Sequence, residues 1–148
     1  MKTDFKYEWS DAWLLQAIIC GSGDQGASLY HIISIGDALN HAIFTDEELE
    51  SGFARLTEGG LIEERGERYY ATEEAREKYT KASSKSGSVL TIRERLAKSI
   101  GAAPWQPKVQ KPEKLKYPGF APEKVAEAIK DYQKDARQMM QKKHPTPA

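Results

Sequence analysis

The stretch Phe44–Ala75, FTDEELESGFARLTEGGLIEERGERYYATEEA, decides how this chain folds. Thr45 is followed three residues later by Glu48, the pairing of a capping box, in which each side chain satisfies a backbone N–H left free at a helix start. Leu49, Phe53 and Leu56 then recur at intervals of four and three, giving one apolar stripe on a helix. Gly59 and Gly60 end that helix and Leu61-Ile62 begins an extended segment. LIEERGERYYAT reads as two short strands around Gly66, with Ile62, Tyr69 and Tyr70 as the strand-type side chains. Thr72 can cap a further helix, EEAREKYTKA, in which Ala75 and Tyr79 lie four apart.

Upstream, SDAWLLQAIIC predicts a first helix from Ser10 to Cys20. Ser10 is its N-cap, Asp11 sits in the first turn and Gly21 is its stop, while Trp13, Leu14, Ala17 and Ile18 face the core. After the polar loop GSGDQGA, a second helix runs from about Ser28 to Leu39, with Leu29, Ile32 and Ile33 inward. Downstream, residues 81–103 read as a Ser/Lys/Gly linker followed by an amphipathic helix with Val89, Ile92, Leu96 and Ile100 on one face. Residues 104–121 form an extended Pro/Lys-rich arm, because Pro104, Pro107, Pro112 and Pro118 forbid a regular helix. A last helix is expected over 122–143, starting on Pro122 and Glu123, with a disordered tail at 144–148.

Three helices, a hairpin and a Thr-capped helix, carried by Leu49, Phe53, Leu56, RLTEGGLIEER and YYATEEAREKY, resemble the winged-helix superfamily. The likeness is to bacterial regulators of the multidrug-resistance or phenolic-acid type and spans roughly residues 10–80. GDALNHAIFTDEEL also looks like text from uncharacterised bacterial proteins of this fold. The resemblance implies a mainly α winged helix, a three-helix core plus a small β-hairpin wing over residues 1–80, with a helical, Pro/Lys-rich C-terminal extension. It further implies transcription regulation through DNA, with helix 3 as the reader, and a homodimer built on terminal arms and helices.

Charge complicates that expectation. The chain is neutral overall, but residues 1–80 carry 7 Lys/Arg against 16 Asp/Glu and residues 81–148 carry 15 against 6, so an acidic half at −9 is joined to a basic half at +9. Helix 3 shares the acidity. Its expected interaction surface, Glu47, Glu48, Glu50, Ser51 and Arg55, holds one cation. A glutamate can accept from cytosine N4, but several together repel the phosphates that supply most non-specific affinity. Such a surface is either a solvated charged face, a DNA reader, or a dock for a basic partner. The wing offers Arg65, Gly66 and Arg68, diluted by Glu63, Glu64 and Glu67, so the arginines are expected to neutralise their neighbours.

The basic arm interleaves Lys108, Lys111, Lys114 and Lys116 with Trp105, Tyr117 and Phe120. Lysine with aromatics can bind nucleic acid by phosphate contact and stacking, or can lie across the acidic body; the opposed halves favour self-docking. Val125, Ile129, Tyr132, Ala136 and Met139 make a 4-3-4-3 seam for packing or for a dimer mate.

Other chemistry is thin. Asp37, Asn40 and His41 can share the end of helix 2 as a hydrogen-bond network or cap, while His31 lies far from His41 and His144 sits in the tail. Cys20 reads as a buried structural thiol. GSGDQG follows a helix and lacks the Gly-Lys-Ser/Thr ending of a phosphate loop. No catalytic constellation, metal set or cofactor motif emerges, so no enzyme, no metal and no cofactor are expected. Without a leader-like start or a long apolar run, the expectation is a cytoplasmic protein with no membrane association, whose partner is protein or its own basic tail, nucleic acid being the alternative.

Overall fold

The computed structural model describes residues 7–103 and 115–143, the side chains of 141–143 excepted. Among these, six helices and one two-stranded antiparallel sheet follow in the order α1 (Trp9–Ser22), α2 (Leu29–Asn40), α3 (Asp46–Glu58), β1 (Ile62–Arg65), β2 (Arg68–Ala71), α4 (Glu73–Ser83), α5 (Val89–Ile100) and α6 (Pro122–Lys143). Mainly helical with a small hairpin, the architecture matches the coarse expectation from sequence.

Helix α1 is the hub. Every residue from Asp11 to Ile18 is buried, because α2, α3, α4, α5 and β2 all pack against it. It starts one turn-fraction earlier than its sequence suggested: Glu8, not Ser10, is the N-cap, in a capping box with Asp11, whose carboxylate accepts the Glu8 N–H at 2.8 Å. It also continues through Gly21 to Ser22, because a Cβ at that glycine would stand 2.7 Å from the Ile35 side chain, so the residue lets α1 and α2 approach rather than ending α1.

The quoted stretch folds as its text predicts. Thr45 and Glu48 exchange their capping bonds at 2.9 and 3.1 Å. Gly60, at φ +76°, closes α3 in a Schellman motif: the Leu61 N–H reaches the Leu56 carbonyl at 2.9 Å and the Gly60 N–H reaches Thr57 at 3.1 Å. The strands pair Ile62 with Ala71 through Arg65 with Arg68, leaving Gly66 and Glu67, both at positive φ, as the two-residue turn whose twist suits a hairpin. Ala27, between α1 and α2, adds a bridge to Tyr69 through two backbone bonds of 2.8 and 2.9 Å, which ties the hairpin to the helical core.

Aromatic stacking fills the space between layers. Trp13 stacks on Phe44 at 3.7 Å and donates its indole N–H to the Gly36 carbonyl at 2.9 Å; any side chain at Gly36 would collide with the Phe44 ring. Phe53 of α3 stacks on Tyr69 of β2 at 4.2 Å and 6°. The 84–88 connection expected as a linker is held by Arg95, which donates to the carbonyls of Ala82, Lys85 and Ser86. On α5, Leu96 is buried as expected, but Val89 is exposed and Arg93 is 1% exposed.

Three polar side chains of α1 meet arginines from other helices, Ser22 accepting from Arg76 of α4 at 3.2 Å. Asp11, fully buried, pairs with Arg55 of α3 at 3.2 Å. Gln16 accepts from Arg93 of α5 at 2.8 Å, and Arg93 donates further to Asn40 at 3.0 Å and to the Leu39 carbonyl at 2.6 Å. Burial pushes the Asp11 carboxyl up to about 6, the loss of hydration outweighing the attraction of Arg55. Because the folded value lies above the unfolded one, the native chain holds an extra proton between them. That stabilisation is complete below about pH 4 and is lost as pH rises through about 6. Urea unfolding from pH 4 to 7 is expected to show the native chain losing ~3 kcal/mol relative to Asp11→Asn, whose side chain does not titrate; a pH-independent difference between the two would contradict it.

Candidate interaction surface

Residues 115–121, which link the undescribed 104–114 to α6, lie as a strap across α3 and the hairpin. The Leu115 N–H donates to Ser51 Oγ at 3.1 Å and the Tyr117 N–H to Glu50 Oε2 at 3.3 Å, so two α3 side chains capture the strap's backbone. The Tyr117 hydroxyl donates to Glu64 of β1 at 2.7 Å. That bond and partial burial raise its pKa to about 12, burial being the larger cause. The rings of Tyr117 and Phe120 approach Phe53 at 5.6 and 6.4 Å. Lys124, on the first turn of α6, forms an ion pair with Glu67 at the hairpin tip; both are exposed, so the pair contributes little.

Tyr117-Pro118-Gly119-Phe120 is a β-turn closed by the Phe120 N–H on the Tyr117 carbonyl at 3.0 Å, with Gly119 at φ +81°. Proline second and a positive-φ glycine third are what a type II turn requires. The turn brings both rings to the α3 side.

The helix 3 surface expected from sequence is therefore split. Glu47 is exposed and Glu48 half-buried, and Glu48 is engaged in the cap. Glu50 serves the strap. Ser51 and Arg55 correct the expectation. They are 5% and 4% exposed, Ser51 beneath the strap and Arg55 turned inward on Asp11, because the helix presents that face to α1. A lone arginine on an acidic helix reads as solvated until its buried partner is placed.

Both wing arginines are exposed, and each has partners within the chain. Arg65 bonds Glu63 at 2.6 Å and lies 4.4 Å over the Tyr70 ring. Arg68 donates to the carbonyls of Gln25 and Gly26, and Gly66 forms the exposed turn. Of the arm residues, Lys116 is exposed, while Trp105, Lys108, Lys111 and Lys114 lie outside the described residues, as do His144 and the 144–148 tail.

The α6 seam faces its own chain. Val125 is buried, Ile129 and Tyr132 are half-buried, and all three belong to the part of α6 that packs along α2. Two reciprocal bonds fix the pair: Tyr132 donates to Asp37 and Tyr30 to Asp135, each at 2.5 Å, with the two rings edge-on at 6.2 Å. Ala136 is half-buried and Met139 is 65% exposed. Of the network or cap expected at the end of α2, the cap is present, with His41 as the left-handed C-cap, while Asp37 and Asn40 take different partners, Tyr132 and Arg93. Cys20 also departs from expectation. It is exposed, on the face of α1 away from the core, with its thiol 3.5 Å from the Tyr79 hydroxyl.

Among the described residues no group of three His, Cys, Asp or Glu is placed to hold a metal ion, and no helix is long and apolar enough to cross a membrane. Comparison with protein-family models, with curated proteins and with solved structures finds no match for the chain.

If Tyr117 pins the strap as its geometry indicates, Tyr117→Phe loosens residues 115–120 without disturbing the core. Hydrogen exchange of the strap amides is expected to quicken about five- to tenfold, the loss of one hydrogen bond of ~1 kcal/mol, with amides of α1 unchanged.

Proposed function

We propose that this chain is a non-enzymatic winged-helix binding module, a regulatory or protein-interaction protein. Its acidic α3 and hairpin are a docking face for protein, covered here by its own C-terminal strap. The observation that carries the reading is the strap on α3 and β1: Ser51, Glu50 and Glu64 all spend hydrogen bonds on it. The order of three helices, hairpin and Thr-capped helix supports the winged-helix part, as does the bridge from Ala27 that gives the hairpin a fixed place.

DNA reading is the weaker alternative on this surface. A regulator of that kind would use Arg65 and Arg68 with the lysine-rich arm; both arginines are exposed, but Arg65 is partly neutralised by Glu63, and α3 offers phosphates mostly carboxylates. Titration of the full chain against random-sequence duplex DNA separates the two. No binding tighter than micromolar is expected at near-physiological salt. Sub-micromolar binding that weakens steeply as salt rises would sink the protein-docking reading and favour the regulator.

A further inference from the structure

Resting on the docking-face reading, we infer that the groove between α3 and the hairpin receives a β-turn from another protein, bearing aromatic residues at its first and fourth positions and a lysine or arginine beside them. Leu115–Ala121 is then a built-in occupant which that turn displaces. The strap itself displays what the groove accepts. Its main chain is held through N–H groups, which any sequence supplies, whereas the side chains turned inward are two rings three residues apart, Tyr117 and Phe120. Backbone capture gives affinity and ring placement gives selectivity.

Beside Phe120, between the start of α2, the hairpin and the start of α6, a cavity of about 310 Å³ remains, bounded by Leu29, Tyr69, Glu64 and Glu67. Tyr117 and Phe120 stay only half-buried, and Gly119 has no neighbour within 4 Å of the position a Cβ would take. A larger ring in the place of Phe120 would bury more apolar surface.

Charge is also left over. Glu50 and Glu64 accept from the uncharged N–H and hydroxyl of Tyr117, and the strap's Lys116 is exposed. A cation set beside the turn would pair with a rim that the strap leaves acidic. Before the strap, Ala103 is bonded to the Tyr7 carbonyl at 2.9 Å; after it, Val125 is buried, so both flanks stay anchored while the turn lifts away.

The test uses a fluorescein-labelled peptide, KLKYPGWA, which is the chain's own residues 114–121 with tryptophan in the place of Phe120. Its binding is followed by anisotropy on full-length protein. Against the wild-type chain it competes with a tethered occupant at millimolar effective concentration. Binding is therefore expected to be at least tenfold tighter to two strap-weakened chains. These are Phe120→Ala, which removes a ring, and Gly119→Ala, which strains a φ of +81°. Adding Glu50→Gln and Glu64→Gln is expected to weaken binding at least tenfold, and a peptide with both aromatics replaced by alanine is expected not to bind. The inference is overturned if neither strap-weakened chain binds the peptide at millimolar concentration while amide NMR shows an intact core and a freed strap. It is equally overturned if those chains dimerise in light scattering and lose the peptide site, which would make a second copy the occupant. Duplex DNA binding by the wild-type chain marks failure of the underlying reading; loss of peptide binding with DNA still unbound marks failure of this inference alone.

Discussion

A helix stretch buried on all sides has no face on which to leave a polar group, and α1 carries two such groups between Asp11 and Ile18. Asp11 and Gln16 are both sealed from water, so each requires a partner brought by another element, and the partners are arginines: Arg55 from α3 and Arg93 from α5. A misplaced apolar contact costs packing, but a buried charge left without its counterpart costs several kcal/mol, roughly 3–5 when one member of a buried pair is removed. The two arginines therefore fix where α3 and α5 sit along α1. With α3 placed, Phe53 meets Tyr69, Ala27 closes the hairpin onto the core, and the groove that takes the strap exists.

The same constraint explains the surface. With Arg55 drawn inward, α3 shows solvent its carboxylates and little positive charge. The acidity follows from the core having claimed the helix's only cation. It leaves a face suited to donors, and the strap answers with N–H and O–H groups while its Lys116 stays exposed. Recognition here is by hydrogen bonds from a turn whose shape Pro118 and Gly119 set in advance, so little entropy is lost in docking it.

Local signals were legible in the sequence where a residue's own chemistry determines the backbone. Thr45 with Glu48, Gly60 after α3, Gly66 in the hairpin and Thr72 before α4 each act within one turn of chain, and each is found where the text places it. What could not be read depends on distant partners. Arg55 and Ser51 look exposed on an acidic helix until Asp11 and Leu115 arrive, 44 and 64 residues away. The Ala27 bridge is a single residue wide and leaves no periodicity to detect. Gly21 was read as a stop because glycine usually ends helices, whereas here it clears room for Ile35. Among the described residues the strap meets α3 and β1 through neutral groups such as the Tyr117 N–H and hydroxyl, which a count of opposed charges does not reveal.

The clasp between α2 and α6 has a mechanical consequence. At 22 residues α6 is about 33 Å long, and its hold on α2 runs from Val125 to Asp135, leaving the turns around Met139 and Met140 standing clear. It is a rod gripped along its first half. The gripped end is the one that continues directly into the strap. Where α2 holds α6 thus decides where the turn meets α3, so a clasp on one side of the molecule positions the cover of the groove on another.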